Sequence, residues 1–413
     1  MTSTNIPVSP NERADILDIL RGFALLGIGI ANYAVFSLYI YQSPAAQKAF
    51  STSAIDKWLQ YITTALVEGK FYSLFSMLFG IGFSIILTRR QKDGNGLIIF
   101  YRRLFVLLCF GLIHCFFVWD GDILFFYAVA GMLLPLFRNL GDRTLLSLVL
   151  ILLLSPIVFD VIKVVTHGKW NIANPVLKIT EATDKQYGIL PSNYSAWLIT
   201  HNSYSDLLKW NHSGFLWGWQ LRLDSNRVLK VLAMFLLGYY IGRKQIYLQF
   251  AQYRQLLKKI QRWGFLIGVP AGIALAYFQH DPVRLPKAGG LLDTVSYTLN
   301  VVPLCLAYAS TIALTWMHNK QSLLLRMMAP AGRMGLTNYL MQSFFAVLFF
   351  YGIGLGFGGT MGPSYYLFVI VLFYCFQLLY SNWWFKYFQY GPFEWIWRQL
   401  TYWKRLPILK TNS

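Results

Sequence analysis

The sequence predicts an all-α fold, a polytopic transmembrane bundle of about ten helices. Only 13% of the 413 residues are charged and 56% are hydrophobic, whereas about 25% of the residues in soluble domains are charged. Long uncharged runs recur along the whole chain, and a run of about twenty apolar residues is typical of a membrane-spanning helix. Lys and Arg residues bring the net charge to +19, and many cluster in the short segments between these runs.

The N-terminal half, residues 1–166, is predicted to contain five spans. Neither a basic region nor a cleavage site precedes the first apolar run, so this run is predicted to be a retained span and not a signal peptide. Basic loops and one polar turn delimit the others, because charged residues mark the ends of membrane helices. In order, the predicted spans cover residues 15–37, 60–88, 98–119, 122–137 and 144–166.

The C-terminal half, residues 228–390, is predicted to contain five further spans. Two of them carry a proline, Pro270 or Pro303, which membrane helices tolerate when neighbouring groups satisfy the freed carbonyl. An aromatic-rich loop, 167–227, separates the two halves, and a basic and aromatic tail, 391–413, follows the last span. The predicted spans cover residues 228–242, 262–279, 294–317, 334–356 and 365–385.

The basic clusters predict the orientation of the bundle. If the N-terminus is cytoplasmic, the clusters after the second, fourth, sixth and eighth spans all lie on the cytoplasmic side, as does the tail. This positive-inside pattern predicts cytoplasmic N- and C-termini. The 167–227 loop and the Asp120–Asp122 turn are then outside. Aromatic residues in that loop are typical of an interfacial belt, and a sugar-binding face is the alternative.

The same composition argues against several other classes of protein. Nucleic-acid binding is not expected, because the basic residues are not gathered on one soluble domain. A disulfide framework and a metal site are not expected either, because the four cysteines lie within apolar runs and form no CxxC pair. These cysteines are Cys109, Cys115, Cys305 and Cys375. No nucleotide-binding loop or nucleophile elbow occurs in a usable context.

The first predicted span contains polar residues that lipid does not tolerate without partners. Asp18 and Arg21 are three residues apart, so they face each other across one helical turn and can form an ion pair. Arg21 and Asn32 are eleven residues apart, which places them on one face at a distance of roughly 16 Å along the axis. They either line a polar interior stripe or, in the case of the charges, extend to the cytoplasmic surface. Gly22 favours the interior stripe because it permits close helix contact.

Two other predicted spans carry buried polar groups. Glu68 and Lys70 lie about two turns from the outer end of the second span, and residues two apart do not face each other. They are therefore expected to pair with other helices. Asn338 and Gln342 are one turn apart in the ninth span. Such amides either bridge neighbouring helices or line the same polar cavity.

The sharpest group of polar residues surrounds the turn between the third and fourth spans. His114 precedes the Trp-Asp-Gly-Asp sequence by about five residues, so it lies roughly 8 Å inside the outer end. Asp120 and Asp122 are in the turn, and Tyr127 lies about one turn into the fourth span. A histidine held by a carboxylate is the usual arrangement of a general base. The alternative is a histidine that is hydrogen-bonded within the bundle, next to an ordinary polar turn.

Several stretches together resemble the YeiB-like family of bacterial inner-membrane proteins, which share domain of unknown function 418. The Asp-Gly-Asp-Ile-Leu and Gly-Pro-Phe-Glu-Trp-Ile-Trp-Arg sequences are the most specific of them. The likeness extends over nearly the full length, through residues 15–32, 70–82, 114–131, 332–343 and 391–402. This family is distantly similar to transmembrane acyltransferases, which include heparan-alpha-glucosaminide N-acetyltransferase and the bacterial enzymes that acetylate surface sugars. Those enzymes transfer an acyl group from cytoplasmic acyl-CoA to an acceptor across the membrane.

The resemblance assigns roles to individual residues. Arg21 matches an arginine in the first span of the surface-sugar enzymes, and Asn32 stands where their catalytic histidine follows eleven positions later. The heparan enzyme has its catalytic histidine in the next loop, and residues 38–58 contain no histidine. His114, on a different helix, would then replace the missing base.

These observations together predict a membrane acyltransferase-like protein that uses acyl-CoA as donor substrate, without a metal. His114, oriented by Asp122 or Asp120, would deprotonate a hydroxyl or amine of an acceptor such as a glycan, and Asn32 or Asn338 would stabilise the oxyanion. The arginines expected to bind the donor phosphates are Arg21, Arg102, Arg103 and Arg333. The side chains expected to line one polar cavity are Asp18, Asn32, Glu68, Lys70, Tyr127, Asn338 and Gln342.

Two other functions are compatible with the same residues. A transporter of a small polar or anionic solute would use the buried charges as a translocation path. A non-catalytic scaffold or lipid-binding module would use them for stability alone. In each case the lipid bilayer is the expected partner and nucleic acid is not, while a homodimer is compatible with all three.

Overall fold

Helices make up nearly all of the regular structure in a computed structural model of the chain. The model describes residues 15–89, 95–279 and 283–410. The segment before the first helix, which the signal-peptide argument used, lies outside these residues. Within them no β-strand occurs, and a single pair of bridged residues joins Phe388 to Leu409. The predicted all-α class is therefore confirmed.

The helices follow the order of the predicted spans, with additional short helices between them. The first nine are α1 (Asp15–Phe36), α2 (Pro44–Ala49), α3 (Ser53–Leu66), α4 (Lys70–Arg89), α5 (Gly96–Phe117), α6 (Leu124–Gly131), α7 (Asp142–Val165), α8 (Asn174–Tyr187) and α9 (Trp197–Thr200). The last eight are α10 (Tyr204–Asp224), α11 (Arg227–Arg243), α12 (Arg254–Gln279), α13 (Leu291–His318), α14 (Leu323–Arg333), α15 (Gly335–Phe350), α16 (Pro363–Tyr387) and α17 (Pro392–Tyr402).

Six helical segments of the described chain are long and apolar enough to cross a membrane, as expected for a multi-pass membrane protein. They are Asp15–Phe36, Ser53–Thr88, Gly96–Phe117, Asp142–Val165, Ala288–His318 and Pro363–Tyr387. Each corresponds to one of the predicted spans. The other four predicted spans are also helical, but two of them, Leu124–Phe137 and Gly335–Phe350, are shorter apolar helices. The remaining two correspond to α11 and α12, which carry several basic residues.

The second predicted span is divided into two helices instead of one. It breaks after Leu66, and α4 begins at Lys70. Between them Gly69 has a φ of +85°, a conformation that glycine adopts without steric cost. The Lys70 ammonium donates to the main-chain oxygen of Thr64 at 2.8 Å and so satisfies a carbonyl at the end of α3. For Lys70 this contact lies six residues away in the same segment, and not on a distant helix as expected.

Segment 167–227, predicted as an outer aromatic-rich loop, is mostly helical. It contains α8, the short α9 and the long α10. Helix α10 packs against the C-terminal end of α5, where the Asn211 amide donates to the main-chain oxygen of Phe116 at 3.2 Å. The segment therefore forms a helical cap over one end of the site described below.

Close backbone contacts at glycines join the main helices. A Cβ atom at Gly80 of α4 would lie 2.0 Å from the main-chain oxygen of Phe235 on α11, and one at Gly238 of α11 would lie 1.9 Å from that of Met77. Helix α1 meets α14 in the same way at Gly332, where a Cβ would lie 1.9 Å from the oxygen of Asp18. Small residues at such crossings let membrane helices approach closely.

The C-terminal tail is an ordered part of the bundle. The Glu394 carboxylate on α17 accepts hydrogen bonds from the main-chain nitrogens of Leu336 and Thr337, at 2.7 and 3.0 Å, and from the Thr337 hydroxyl at 2.6 Å. The N–H groups in the first turn of α15 have no partner within the helix, and Glu394 supplies one. The Trp397 indole donates to the main-chain oxygen of Arg103 on α5 at 3.0 Å. Helix α17 thus joins the ends of α5 and α15.

Candidate functional site

A buried histidine–aspartate pair lies where α5 ends and α6 begins. His114 Nδ1 is 2.8 Å from Asp122 Oδ2, and the two residues are 3% and 2% exposed. The other carboxylate oxygen of Asp122 accepts from the main-chain nitrogen of Phe125 at 2.7 Å, in the first turn of α6. The carboxylate is therefore held at both oxygens, and it fixes the orientation of the imidazole.

The second ring nitrogen of His114 is buried and has no hydrogen-bond partner in the part of the chain that the structure describes. A carboxylate at Nδ1 favours the tautomer with its proton on Nδ1, which leaves a lone pair on Nε2. The ring of Tyr339, on α15, lies 5.3 Å from the imidazole and that of Trp119 lies 6.4 Å away. The arrangement is that of a base whose accepting atom is enclosed by aromatic side chains.

An outer aromatic cluster, formed by Tyr33, Phe36, Trp119 and Phe350, extends from this histidine. The Trp119 and Phe36 rings are 4.1 Å apart, and Tyr33 lies 5.8 Å from both Phe36 and Phe350. The Tyr33 hydroxyl is also buried without a partner among the described residues, whereas the Trp119 indole lies within reach of Tyr351. Unsatisfied buried polar groups are rare. The His114 nitrogen and the Tyr33 hydroxyl, in one connected cluster, make this the best-supported candidate site for a polar ligand or bound water.

Asp120, the other acid of the turn, does not contact His114. Its carboxylate packs against α10, where a Cβ atom at Gly214 would lie 2.1 Å from Oδ2. The Trp210 indole donates to it, and burial raises its pKa from 3.8 to about 7 although the Arg222 charge acts in the opposite direction. Of the two acids proposed to orient His114, only Asp122 does so.

Arg222 is a further residue of the site, and no motif or spacing in the sequence indicated it. Its guanidinium on α10 donates to the main-chain oxygen of Asp122 at 2.6 Å and lies 5.3 Å from the centre of the Phe126 ring. The residue is 8% exposed. It is separated from Asp122 by about a hundred positions in a segment interpreted as an aromatic loop, so no spacing pattern connects the two.

A second group of predicted residues meets at the opposite end of α1. Arg21 Nη1 lies 2.5 Å from Asp18 Oδ1, as the three-residue spacing predicts, and Arg333 Nε lies 3.9 Å from Asp18 Oδ2. Asp18 is buried, whereas each arginine side chain is 29% exposed. Two guanidinium groups therefore lie beside one buried carboxylate at a partly open position.

Arg102 and Arg103 contact the C-terminal tail instead of this group. The Arg103 guanidinium lies 4.1 Å from the centre of the Trp397 ring, and that of Arg102 lies 5.7 Å from the Trp403 ring. Such cation–π contacts hold α17 against α5. Of the four arginines predicted to bind phosphate, two therefore lie beside Asp18 and two lie against tryptophans of the C-terminal tail.

Asn338 and Gln342 bridge helices. The Asn338 amide donates to the main-chain oxygen of Ala331 and to the Ser381 hydroxyl, both at 3.0 Å, and the Gln342 amide donates to Gln377 at 2.9 Å. Both amide hydrogens of Asn338 are in use, so the structure argues against the predicted role of this residue as an oxyanion donor. Its contacts are those of an amide that joins α15 to α16.

The remaining predicted cavity residues lie in other contacts. The Tyr127 hydroxyl donates to the main-chain oxygen of Tyr72 and contacts the Ser76 hydroxyl, each at 2.7 Å, and so joins α6 to α4. Glu68 accepts from the Thr64 hydroxyl at 3.2 Å, beside the helix break. Asn32 is half-buried on α1. The described hydrogen bonds therefore divide the predicted polar residues among several groups and do not join them into one.

A third buried ionic group was not predicted. Lys163 Nζ lies 2.8 Å from Asp160 and 3.2 Å from Asp224, and the Thr294 hydroxyl donates to Asp160 at 2.6 Å. Asp160 and Lys163 are three residues apart within a predicted span, which was a usable signal. Nearby, a cavity of about 10 Å³ is lined by Lys230 and other residues, which is room for about one water molecule. Among the described residues, no group of three His, Cys, Asp or Glu side chains could hold a metal ion.

Comparisons with known proteins identify one matching family and several relatives over nearly the full length of the chain. The family model described as "Protein of unknown function (DUF418)" matches residues 241–404. The chain is 30% identical to the uncharacterized protein YxaH of Bacillus subtilis, over 98% of both chains. It is 28% identical to the uncharacterized protein YeiB of Escherichia coli, over 97% of this chain and 100% of that one. It is also 27% identical to an uncharacterized 39.9 kDa protein of Bacillus acidopullulyticus, over 98% of both. No solved structure gives a significant match.

Proposed function

We propose that this protein, which belongs to the YeiB-like DUF418 family, transfers an acyl group from acyl-CoA to a hydroxyl or amine acceptor such as a glycan. One observation carries the proposal, namely that His114 has one ring nitrogen on a buried carboxylate and the other without a partner. General bases in acyl transfer are held in this way. An acetyl group is the simplest acyl group for such a reaction.

The reaction would proceed by direct transfer. His114 Nε2 takes the proton from the acceptor as its oxygen or nitrogen attacks the thioester carbonyl. The carbon–sulfur bond then breaks, and the departing thiolate receives the proton from the imidazolium. Asn32 on α1 remains the candidate donor to the transient oxyanion. Because His114 is 3% exposed, the acceptor reaches it only when the outer aromatic cluster moves.

The donor would bind from the opposite end of the bundle. Arg21 and Arg333 both lie beside the Asp18 carboxylate, and the fork of donors on each guanidinium suits an anionic phosphate. Along α5, eleven residues separate Arg103 from His114, a rise of roughly 16 Å. The nucleotide of acyl-CoA would therefore stay at the arginines while its extended arm carries the thioester inward.

The proposal also includes the finer topology. We propose about ten membrane crossings, formed by the six long apolar segments together with α6, α11, α12 and α15, in the inner membrane of the cell. Both termini would then be cytoplasmic, which agrees with the distribution of Lys and Arg. In this arrangement the arginine group faces the cytoplasm and the His114–Asp122 pair faces the outside.

The direct test uses the purified protein in detergent with labelled acetyl-CoA and a panel of sugar acceptors. His114→Ala is expected to lower the transfer rate by roughly a hundredfold or more, because general-base catalysis contributes that much. His318→Ala is the matched control, since His318 lies exposed at the end of α13. Transfer that survives in His114→Ala, or a wild-type protein that forms no acylated product, would refute the proposal.

Donor binding can be measured separately by thermal unfolding in the presence of coenzyme A. At a hundred times its dissociation constant, a ligand stabilises the native state by about 2.7 kcal/mol. Arg21→Ala and Arg333→Ala are expected to reduce this stabilisation, whereas the exposed Arg326→Ala is not. If reconstituted liposomes instead show solute uptake without a covalent product, the transport function is the correct one.

A further inference from the structure

We infer that Arg227 and Lys230, in the first turn of α11, form a binding site for a phosphate group. These residues are distinct from His114 and from the arginines that would bind acyl-CoA, so the site does not depend on acyl transfer. The phosphate comes either from a lipid headgroup or from a free phosphate compound, and the experiment below distinguishes the two sources.

Two tyrosines hold the cations side by side. Arg227 and Lys230 are three residues apart, so they lie on one face of α11. The Arg227 guanidinium lies 5.1 Å from the centre of the Tyr72 ring on α4, and the Lys230 ammonium lies 4.1 Å from that of the Tyr297 ring on α13. The two tyrosine hydroxyls are hydrogen-bonded at 2.7 Å. The rings therefore fix both cations, but a ring face supplies no oxygen acceptor to their N–H groups.

No carboxylate of the described chain is bonded to this pair. Neither Arg227 nor Lys230 forms an ion pair or a side-chain hydrogen bond with the residues that the structure describes. Asp160 and Asp224 are instead bonded to Lys163, at 2.8 and 3.2 Å. Cations in or beside a membrane require a counter-charge or water. Both groups are therefore open to an acceptor from outside the chain.

Positive and negative charges both surround the pair. They are Lys163, Arg222, Glu68, Asp160, Asp224 and Asp293. Asp293 attracts Lys230 from α13, yet it forms no ion pair among the described residues, and one of its oxygens is buried without a partner there. Arg222 repels Arg227 but donates to the main-chain oxygen of Asp122 at 2.6 Å. What distinguishes Arg227 and Lys230 is thus the lack of a bonded acceptor, and not a net charge of the region.

The start of α11 is itself suited to an anion. Asn226, which precedes the helix, has a φ of +53° and gives no side-chain hydrogen bond to the first turn, and that turn contains no acid. The first N–H groups of the helix therefore lack a capping side chain. Two positive charges at the positive end of a helix, one turn apart, disfavour each other and the helix dipole. A bound anion relieves both effects.

Phosphate matches this set of donors. A guanidinium presents a fork of N–H groups that fits two phosphate oxygens, and an ammonium donates to a third. Lys230 and both tyrosines also line the cavity of about 10 Å³, which is room for one oxygen atom of a ligand. In the proposed topology α11 begins at the outer side, where lipid headgroups and the external solution both supply phosphate.

The test is thermal unfolding of the delipidated protein in an uncharged detergent, with three additives. Inorganic phosphate represents the free source, and dihexanoyl phosphatidylglycerol represents a lipid headgroup. Dihexanoylglycerol has the same acyl chains without the phosphate. Inorganic phosphate or the phospholipid is expected to raise the unfolding temperature of the wild type in a saturable way, because each binds the native state. Dihexanoylglycerol is expected to have no such effect.

Arg227→Gln and Lys230→Gln are each expected to weaken this binding roughly tenfold or more, because each removes a charged hydrogen-bond donor. The matched control is the double variant Lys178→Gln with Lys185→Gln. Both of these lysines are exposed on α8 of the helical cap, so their loss lowers the charge on the same side of the bundle without touching the site. Arg227 is also exposed, and Arg227→Gln therefore decides the test if Lys230→Gln folds poorly.

A response to inorganic phosphate alone, or to the phospholipid alone, supports the inference and identifies the source. The inference is overturned if neither additive stabilises the wild type, if Arg227→Gln leaves the response unchanged, or if the control variant loses it equally. Arg21 and Arg333 are intact in all of these variants. A protein that shows the expected response but forms no acylated product therefore supports the phosphate site and contradicts the proposed function.

Discussion

Two carboxylates in one short turn have very different surroundings. Asp122 is fixed by His114 and by the Phe125 nitrogen, and the Arg222 guanidinium donates to its main-chain oxygen. Asp120, two residues earlier, packs against Gly214, and burial raises its pKa to about 7. The surroundings, and not the residue type, therefore give the two acids different partners and raise the pKa of Asp120.

The raised pKa of Asp120 predicts a pH-dependent stability. A carboxyl whose pKa rises on folding, here from 3.8 to about 7, favours the folded state only when it is protonated. Its contribution is complete below about pH 4 and disappears as the pH rises to about 7. Asp120→Asn is expected to remove this part of the pH dependence, measured as the unfolding temperature between these two limits.

Asp206→Asn is the matched control for Asp120→Asn. Asp206 also lies on the helical cap, but its hydrogen bond with Lys209 lowers its pKa. Its contribution to stability is therefore lost only at lower pH. The prediction fails if Asp120→Asn retains the wild-type slope, or if Asp206→Asn flattens it to the same degree.

For individual residues, the sequence was sufficient to predict contacts between side chains that are close together in the chain. The pairs Asp18–Arg21 and His114–Asp122 are three and eight residues apart, and helix or turn geometry brings such residues together. The choice between Asp120 and Asp122 was left open, because both can reach the histidine from a flexible turn. Arg222 was missed because only the tertiary packing of α10 brings it to Asp122.

Helix ends and helix crossings decide which side chains meet. The break before α4 depends on Gly69, and it converts Lys70 from a mid-helix charge into a group that satisfies the end of α3. The crossing of α4 and α11 depends on Gly80 and Gly238, whose missing side chains let two backbones touch. Glycines therefore have two roles in this segment: Gly69 permits the break between the helices, and Gly80 permits the close crossing with α11.

Gly80 and Gly82 form a matched pair for testing the crossing. They lie two residues apart on α4, but a Cβ at Gly80 would meet Phe235 at 2.0 Å, whereas one at Gly82 would have nothing within 4 Å. Gly80→Ala is expected to destabilise the protein by about 1–3 kcal/mol through overpacking. Gly82→Ala is expected to be neutral or slightly stabilising, because alanine favours helix.

The measurement is the unfolding temperature of both variants in the same detergent. Equal effects of the two substitutions would contradict the described crossing. The sequence alone does not distinguish the two glycines. Residues two apart point in different directions on a helix, and only the packed structure shows which of them lies at the contact.

The number of crossings is a property of the whole molecule, and it decides where the candidate site lies. Helix α6 and its following turn, Leu124–Phe137, form a short apolar segment whose fourteen residues would span only about 21 Å as a helix. If this segment crosses the membrane, the segment after α7 is outside. If it does not, that segment lies on the same side as the N-terminus.

Two introduced cysteines test this arrangement. Ser192 and Gln321 are both exposed in segments between helices, and the proposed topology places them on opposite sides. In a background that lacks the exposed Cys375, Ser192→Cys is expected to react with a membrane-impermeant maleimide in intact cells. Gln321→Cys is expected to react only after permeabilisation. If α6 does not cross, the two sites exchange sides, so that Gln321→Cys reacts in intact cells and Ser192→Cys does not. Either that result or labelling of both from the same side would contradict the ten crossings.

Composition and hydropathy were sufficient to predict the class of the whole molecule, because lipid permits few folds. They were not sufficient to count the crossings. Helix α6 is apolar but short, and α11 carries several basic residues, so neither is clearly a membrane-spanning helix by length and composition. They also did not reveal the helical cap. The polar residues of 167–227 suggested a loop, and the packing of α10 on α5 supplies the stability that its own sequence does not indicate.

The contacts of α17 have a consequence for biosynthesis. Glu394 satisfies the start of α15, and Trp397 holds α5, yet both residues are near the end of the chain. Because α17 follows both α5 and α15 in the chain, these two helices are synthesised before the segment that joins them. A nascent chain stopped before α17 would leave open backbone groups at the start of α15, which quality-control proteases can recognise.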